Sequence, residues 1–197
     1  MTPLMNYLER LSRLMLNEGH ADGLKPAQWE ALRFLALANR FSRTAGGLGA
    51  YLGLTKGTVS QTLNALERKG LVARSTDGQD RRRVQLAVTP AGRALIDRDP
   101  LGELSDAIDH LPRPERDRLA ASLETVLRAW LAQRGGRSFA QCQTCRHFRD
   151  RAPLGAPHYC ALLNQPLRDA DSLALCIEHE VPAAGQDLAG GQPTPVP

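Results

Sequence analysis

The chain has 197 residues, which is enough for one domain of ordinary size and an appendage. Its 42% hydrophobic content is typical of a globular protein, and because no run of 18 apolar residues occurs, we expect no transmembrane helix and no membrane partner. The first ten residues lack a basic start followed by an apolar run, so we expect no secretory signal and a cytoplasmic location. The net charge of +4 suggests a polyanionic partner.

The excess positive charge is concentrated in one part of the sequence. Between residues 56 and 83 there are seven Lys and Arg residues and three Asp and Glu residues, a difference equal to the net charge of the whole chain. An ordinary solvated face and a surface that binds a polyanion are both consistent with this cluster, and the elements around it decide between them.

Apolar residues at helical spacing predict most of the secondary structure. Helices are expected over residues 3–18, 26–40, 45–52 and 56–69, then after Pro90 to about residue 108 with a break near Pro100, and finally over 113–133. Period-two alternation predicts strands at 71–74 and 84–88, and Asp77-Gly78 predicts a turn between them. The fold class is therefore mainly α with a small β-hairpin.

The helix that follows Thr55 has an apolar face and a polar face. Val59, Leu63 and Leu66 share the apolar side, so we expect Lys56, Thr58, Ser60, Gln61 and Thr62 to face solvent. A short polar helix face can enter the major groove of DNA, and arginines on a hairpin tip can reach phosphates or the minor groove. The candidate DNA-binding residues are Thr55, Lys56, Thr58, Ser60, Gln61, Asn64, Arg74, Asp80, Arg81, Arg82 and Arg83.

Three consecutive stretches resemble the winged helix-turn-helix transcription regulators of the MarR family. Residues 66–74, LERKGLVAR, look like that family's exit from the recognition helix into the wing. Residues 80–89 fit its wing pattern D-x-R-x-x-x-L-x-(L/V)-T, and residues 89–92 fit the T-x-x-G that begins the next helix. The resemblance covers roughly residues 3 to 134.

This resemblance implies a homodimer that packs through its N- and C-terminal helices and binds a pseudo-palindromic operator in double-stranded DNA. By position, Arg82 matches the wing arginine that enters the minor groove, and Asp80 matches the carboxylate that steadies it. Many relatives carry an arginine where this chain has Gln61, and glutamine is better matched to adenine than to guanine. The chain has no glycine-rich nucleotide loop and no catalytic grouping, so we expect no enzymatic activity.

Four cysteines follow the Gly135-Gly136 boundary and none precedes it. Their spacing is Cys142-x2-Cys145-x14-Cys160-x15-Cys176, in a compartment where disulfides are rare, so we expect a metal or cluster site. Thiolates suit both zinc and iron–sulfur clusters. The isolated third and fourth cysteines favour an iron–sulfur cluster of the 4Fe–4S type, and zinc is the alternative. The pattern C-x2-C-x2-(F/Y)…C-x-L…C also resembles small cluster domains in accessory subunits of some glycyl-radical enzymes.

These features predict three segments: a DNA-binding and dimerisation domain at residues 1–134, a cysteine-rich extension at 135–181, and a disordered tail at 182–197. The predicted function is transcription regulation modulated by the cluster, which would sense oxygen, oxidant or iron by changing the spacing of the two recognition helices. A regulator with a structural zinc site and a small-molecule effector is the first alternative. A redox enzyme and a zinc-stabilised docking module are weaker ones.

Overall fold

The computed structural model describes residues 2–76, 84–151 and 155–182. The helices are α1 (Pro3–Glu18), α2 (Pro26–Leu37), α3 (Ala45–Leu52), α4 (Lys56–Arg68), α5 (Pro90–Ile96), α6 (Gly102–Asp109), α7 (Arg113–Gln133) and α8 (Asp169–Ser172). The strands are β1 (Val72–Thr76), β2 (Val84–Val88), β3 (Ala140–Gln141), β4 (Phe148–Asp150), β5 (His158–Cys160), β6 (Gln165–Leu167) and β7 (Leu175–Cys176). None of the helices in these ranges is both long and apolar enough to cross a bilayer.

Threonine caps explain why several helices begin where they do. A threonine hydroxyl accepts the N–H of the residue three positions later at the start of four helices, in the pairs Thr2–Met5, Thr44–Gly47, Thr55–Thr58 and Thr89–Gly92. Gly53 and Gly70 have φ of +66° and +69°, so glycine suits the turns that end α3 and α4. The predicted helices at 3–18, 45–52 and 113–133 and the break at Pro100 are confirmed.

Helix α2 ends at Leu37, three residues before its predicted end. The Asn39 side chain accepts the backbone N–H groups of Phe41 (3.1 Å) and Ser42 (2.8 Å), which offers the backbone a turn in place of a further helical turn. The segment 38–44 therefore forms a tight connection between α2 and α3.

The core of the winged-helix unit lies between α2, α4 and the hairpin. Its fully buried side chains include Trp29, Leu32, Leu35, Leu48, Leu63 and Leu66. The expectation that Thr62 faces solvent is wrong, because its side chain is only 7% exposed. Thr62 lies three residues after Val59 and four before Leu66, which places it on the apolar face of α4.

Strands β1 and β2 form the base of the wing. They pair antiparallel with Val72 opposite Val88 and Thr76 opposite Val84. The Leu86 N–H also donates to the Arg43 carbonyl at 2.8 Å, so β2 is hydrogen-bonded to the connection between α2 and α3. The predicted turn at Asp77-Gly78 and the predicted DNA-binding residues of the wing tip lie outside the described residues.

The cysteine-rich extension adds two small sheets that its irregular apolar spacing did not predict. Strand β3 pairs with β7, and β4, β5 and β6 form a three-stranded antiparallel sheet. These strands have two or three residues each, which is too short for a period-two pattern to be recognised. Their pairing brings segments that are far apart in sequence to one place.

Candidate DNA-binding surface and cysteine site

The exposed face of α4 carries the predicted recognition residues. Thr55, Lys56, Thr58, Ser60, Gln61 and Asn64 are all exposed, whereas Val59, Leu63 and Leu66 are buried against the core. Thr55 Oγ1 accepts the Thr58 N–H at 3.2 Å and lies 2.9 Å from Thr58 Oγ1. The two hydroxyl groups are therefore hydrogen-bonded to each other at the helix N-terminus. The face is short, polar and rich in hydrogen-bonding groups, as a helix that reads base edges requires.

Arg74 of strand β1 is fixed against the recognition helix. Its Nη2 donates to Asn64 Oδ1 at 2.8 Å and lies 3.2 Å from Glu67 Oε2. The two contacts join the base of the wing to the C-terminal half of α4. The sequence indicated Arg74 and Asn64 as separate DNA contacts and gave no sign that they contact each other. Asp80, Arg81, Arg82 and Arg83 lie outside the described residues.

All four cysteines of the extension are buried in one cluster, between 4% and 8% exposed. They are free thiols and share their surroundings with the buried side chains of Phe148 and Leu167. Phe41, from the connection between α2 and α3, packs against the same cluster. The cysteine site is therefore enclosed partly by the winged-helix unit.

Cys142 and Cys145 each accept a hydrogen bond at sulfur. Asn39 Nδ2 donates to Cys142 Sγ at 3.2 Å, and the Glu180 N–H donates to Cys145 Sγ at 3.4 Å. Nearby backbone N–H groups act to lower the pKa of Cys160 and of Cys176. Donors of this kind favour the ionised form of a thiol, which is the form that binds metals.

The cysteines differ in acidity because Cys142 and Cys176 act on each other in opposite directions. Accepting a hydrogen bond from the Cys142 thiol lowers the pKa of Cys176 to about 6, although burial acts in the opposite direction. Donating that bond, together with burial, raises the pKa of Cys142. Burial also raises the pKa of Cys160, against the effect of its backbone donors. Of these two cysteines, Cys176 is the more readily ionised.

The donor set of the extension consists of sulfur, and this fits a soft metal or an iron–sulfur cluster. Within the ranges described, no three His, Cys, Asp or Glu side chains form a ready-made site for a single metal ion. The nearby histidines contact oxygen atoms: His147 lies 3.2 Å from Glu180, His158 lies 3.1 Å from Asp150 and 3.2 Å from Asp169, and His179 lies 2.9 Å from Thr144.

The extension packs on the end of α2, a contact that the sequence did not predict. The Asn39 N–H donates to the Leu175 carbonyl at 2.8 Å, and the Ile177 N–H donates to Ser42 Oγ at 3.0 Å. Arg40 donates to the Pro166 carbonyl and lies 3.4 Å from Asp171. The polar run after the apolar end of α2 was the available signal, but only the fold shows what it contacts.

Comparison with known proteins agrees with this geometry. The family model described as MarR family matches residues 22–83. A MarR-family transcriptional regulator from Silicibacter pomeroyi is 30% identical, with a TM-score of 0.51, over 63% of this chain and 85% of that one. No curated protein is significantly similar to the chain.

Two further solved structures share the fold. MepR of S. aureus in complex with DNA is 22% identical, with a TM-score of 0.51, over 64% of this chain and 93% of that one. CouR from Rhodococcus jostii bound to p-coumaroyl-CoA is 22% identical, with a TM-score of 0.50, over 63% and 91%. Together with the matched family model and the 30% identical regulator, the winged-helix architecture shows that the chain belongs to the MarR family of transcription regulators.

Proposed function

We propose that the chain is a homodimeric transcription regulator that binds a pseudo-palindromic operator through α4 and the wing. A 4Fe–4S cluster held by Cys142, Cys145, Cys160 and Cys176 modulates that binding. The observation that carries the DNA-binding part is the exposed polar face of α4, capped by Thr55 and joined to the wing base by Arg74. The same fold is seen in MepR bound to DNA.

The polar residues of α4 divide by what they contact on DNA. Thr55, Lys56 and Thr58 lie at the helix N-terminus, where free N–H groups and the helix dipole favour phosphate. Gln61 lies one turn further along the exposed face, and its amide can pair with the N6 and N7 atoms of adenine. Arg74 holds Asn64 in place, and Arg82 of the wing enters the minor groove, steadied by Asp80, as the family resemblance implies.

The dimer part of the proposal is supported by apolar helix faces that nothing within the described chain covers. Helix α1 contains no buried residue, and Tyr7 is 67% exposed. Helix α7 also contains none, and Trp130 is 53% exposed. Further exposed apolar side chains on the two helices are Leu4, Met5, Leu11, Leu14, Met15, Leu16, Leu119, Leu123, Val126 and Leu127. Full burial of an exposed leucine is worth about 1.5–3 kcal/mol, so covering one of these half-exposed leucines with a second copy contributes roughly half of that.

The cofactor part of the proposal is supported by the chemistry of the cysteine cluster. Four buried cysteines lie in one cluster, and hydrogen bonds from Asn39 and Glu180 to two of the sulfurs favour their thiolate forms. A cubane cluster takes one thiolate at each of its four irons. Such a cluster supplies sensitivity to oxygen, oxidants and iron supply. The surrounding residues exclude water through Phe41, Phe148 and Leu167 and hold the sulfurs through Asn39 and the backbone of the extension.

Two measurements test the proposal. A mobility-shift titration with the promoter region of the gene that encodes the chain is expected to show saturable binding. Competitor DNA of random sequence should not remove this binding, and the absence of such binding would contradict a role in transcription regulation. Protein purified without oxygen is expected to be brown and to contain iron and sulfide. A colourless protein with one zinc ion per chain would contradict the cluster and favour a structural zinc site with a small-molecule effector.

A further inference from the structure

We propose that the connection between α2 and α3, residues 39–43, transmits the state of the cysteine site to the DNA-binding elements. This inference rests on the proposed function for its DNA readout, and it names the route of regulation. The route differs from a change in spacing transmitted along α7, because the extension contacts the winged-helix unit directly at this connection.

One side of the connection belongs to the cysteine site. Asn39 Nδ2 donates to Cys142 Sγ at 3.2 Å, and Ser42 Oγ accepts the N–H of Ile177, the residue after Cys176. Asn39 is 1% exposed and Ser42 is fully buried. A buried amide must keep its hydrogen-bond partners, so any displacement of the Cys142 sulfur displaces Asn39 or leaves its N–H group unpaired.

The other side of the connection belongs to the DNA-binding elements. The Arg43 carbonyl accepts the Leu86 N–H at 2.8 Å, which fixes strand β2 at the base of the wing. The next residue, Thr44, caps α3, the first helix of the helix-turn-helix. A Cβ atom at Gly47 would collide with the Ser42 carbonyl, so the backbone of α3 and the backbone of the connection are in close contact at this point.

The oxygen and the nitrogen of the Asn39 side-chain amide have different roles, which can be tested separately. Its Oδ1 accepts the N–H groups of Phe41 and Ser42 and so shapes the connection, while its Nδ2 contacts the sulfur. The substitution Asn39→Asp keeps an oxygen for the first role and replaces the N–H donor of the second with a carboxyl oxygen. It removes the contact with Cys142 and keeps the acceptor around which the connection is built.

The test compares the Kd for the chain's own promoter region between two states of each protein. One state is reconstituted with ferrous iron and sulfide without oxygen, and the other is stripped with a chelator. For wild type we expect the two Kd values to differ at least about tenfold, within the usual range of allosteric coupling. In N39D the difference falls below about threefold. The control Gln143→Ala removes an exposed amide beside the same cysteine, bonded to Gln141, and keeps the wild-type difference.

A second measurement needs neither the variant nor DNA. Hydrogen exchange of wild-type protein is compared between the reconstituted and stripped states. Faster exchange in the stripped state at Leu48 and Leu86, as well as in the extension, supports the coupling. Changes confined to residues 137–181, or a Kd difference that N39D leaves intact, would overturn it while leaving the proposed function standing. If the exchange rate at Leu86 differs between the two states but the protein binds DNA in neither of them, the proposed function is contradicted and the coupling is not.

Discussion

Gln61 and Lys56 both project from the exposed face of α4, and we expect them to contribute to DNA binding in different ways. Replacing Gln61 with alanine removes a side chain suited to adenine, so discrimination at one base pair should fall by about 1–3 kcal/mol with little loss of non-specific affinity. The measurement is competition between the operator and versions of it with single substitutions. Unchanged discrimination at every position would contradict a reading role for Gln61.

Lys56→Ala is the matched substitution for a phosphate contact. It should weaken binding to all sequences alike and reduce the slope of log K against log salt by about 0.9, the effect of one phosphate contact. Titrations at several salt concentrations measure the slope. A loss of affinity confined to particular operator sequences would place Lys56 at a base edge instead.

Arg33 and Asp99 connect α2 to the turn after α5, and their ion pair gives folding a dependence on pH. Arg33 Nε and Nη2 donate to the two oxygens of Asp99 at 2.5 and 2.7 Å, and the Leu101 N–H donates at 2.8 Å. Burial alone would raise the pKa of Asp99, but these hydrogen bonds outweigh it and lower the pKa below its ordinary value.

Asp99→Asn should therefore lower the free energy of unfolding by about 1.5–3 kcal/mol at neutral pH, the range for hydrogen bonds to charged groups. Because the folded pKa is depressed, the stabilisation is complete above the unfolded pKa of about 3.9 and is lost as pH falls through the folded value. Urea unfolding of both proteins across this range measures it. An equal difference between them at pH 7 and at the acid end would contradict the assignment.

At the scale of elements, the caps show what a sequence can predict. Thr44, Thr55 and Thr89 each precede an apolar helical pattern, so local chemistry is enough to place the starts of α3, α4 and α5. Periodicity predicts the end of α2 three residues too late, because the turn at Asn39 depends on side-chain hydrogen bonds that periodicity does not show. The polarity of Thr62 predicts an exposed side chain, but a threonine can also occupy the apolar face of a helix, as Thr62 does.

The cysteine content identifies the extension as a separate segment, but no local sequence pattern predicts its secondary structure. The spacing of its cysteines indicated a common site, and the fold buries all four in one cluster. Its strands pair with one another inside the extension, and its contacts with Asn39 and Ser42 join residues more than 100 positions apart. No local pattern reports either kind of pairing. Sequence reasoning therefore located the candidate site but missed the surface on which it rests.

The packing of α3 against the connection gives a prediction at the same scale. Gly47→Ala should destabilise the winged-helix unit, because the added Cβ would overlap the Ser42 carbonyl and backbone must shift. Overpacking of this kind usually costs about 1–3 kcal/mol, and thermal or urea unfolding measures the loss. Gly46→Ala is the control, since its Cβ would meet only Thr44 Oγ1 at 3.9 Å. Equal stability of the two variants would contradict the close packing of α3.

At the scale of the whole molecule, we expect the apolar faces of α1 and α7 to set the oligomeric state. Leu123→Asp places a charge in the proposed interface, and we expect it to produce a monomer with at least tenfold weaker operator binding, because burying an unpaired charge is unfavourable. Sedimentation velocity measures the mass. Leu173→Asp changes an even more exposed leucine outside these helices and should leave the dimer intact. A Leu123→Asp variant that remains dimeric would contradict the interface.

Hydroxyl-radical footprinting of the chain's own promoter region tests most directly whether the α4 surface of a dimer binds successive major grooves. We predict two protected half-sites whose centres lie about 10 base pairs, one helical turn, apart. The protection should weaken in Lys56→Ala and disappear in Leu123→Asp. A single protected site that survives Leu123→Asp, or no protection at all, would contradict the account.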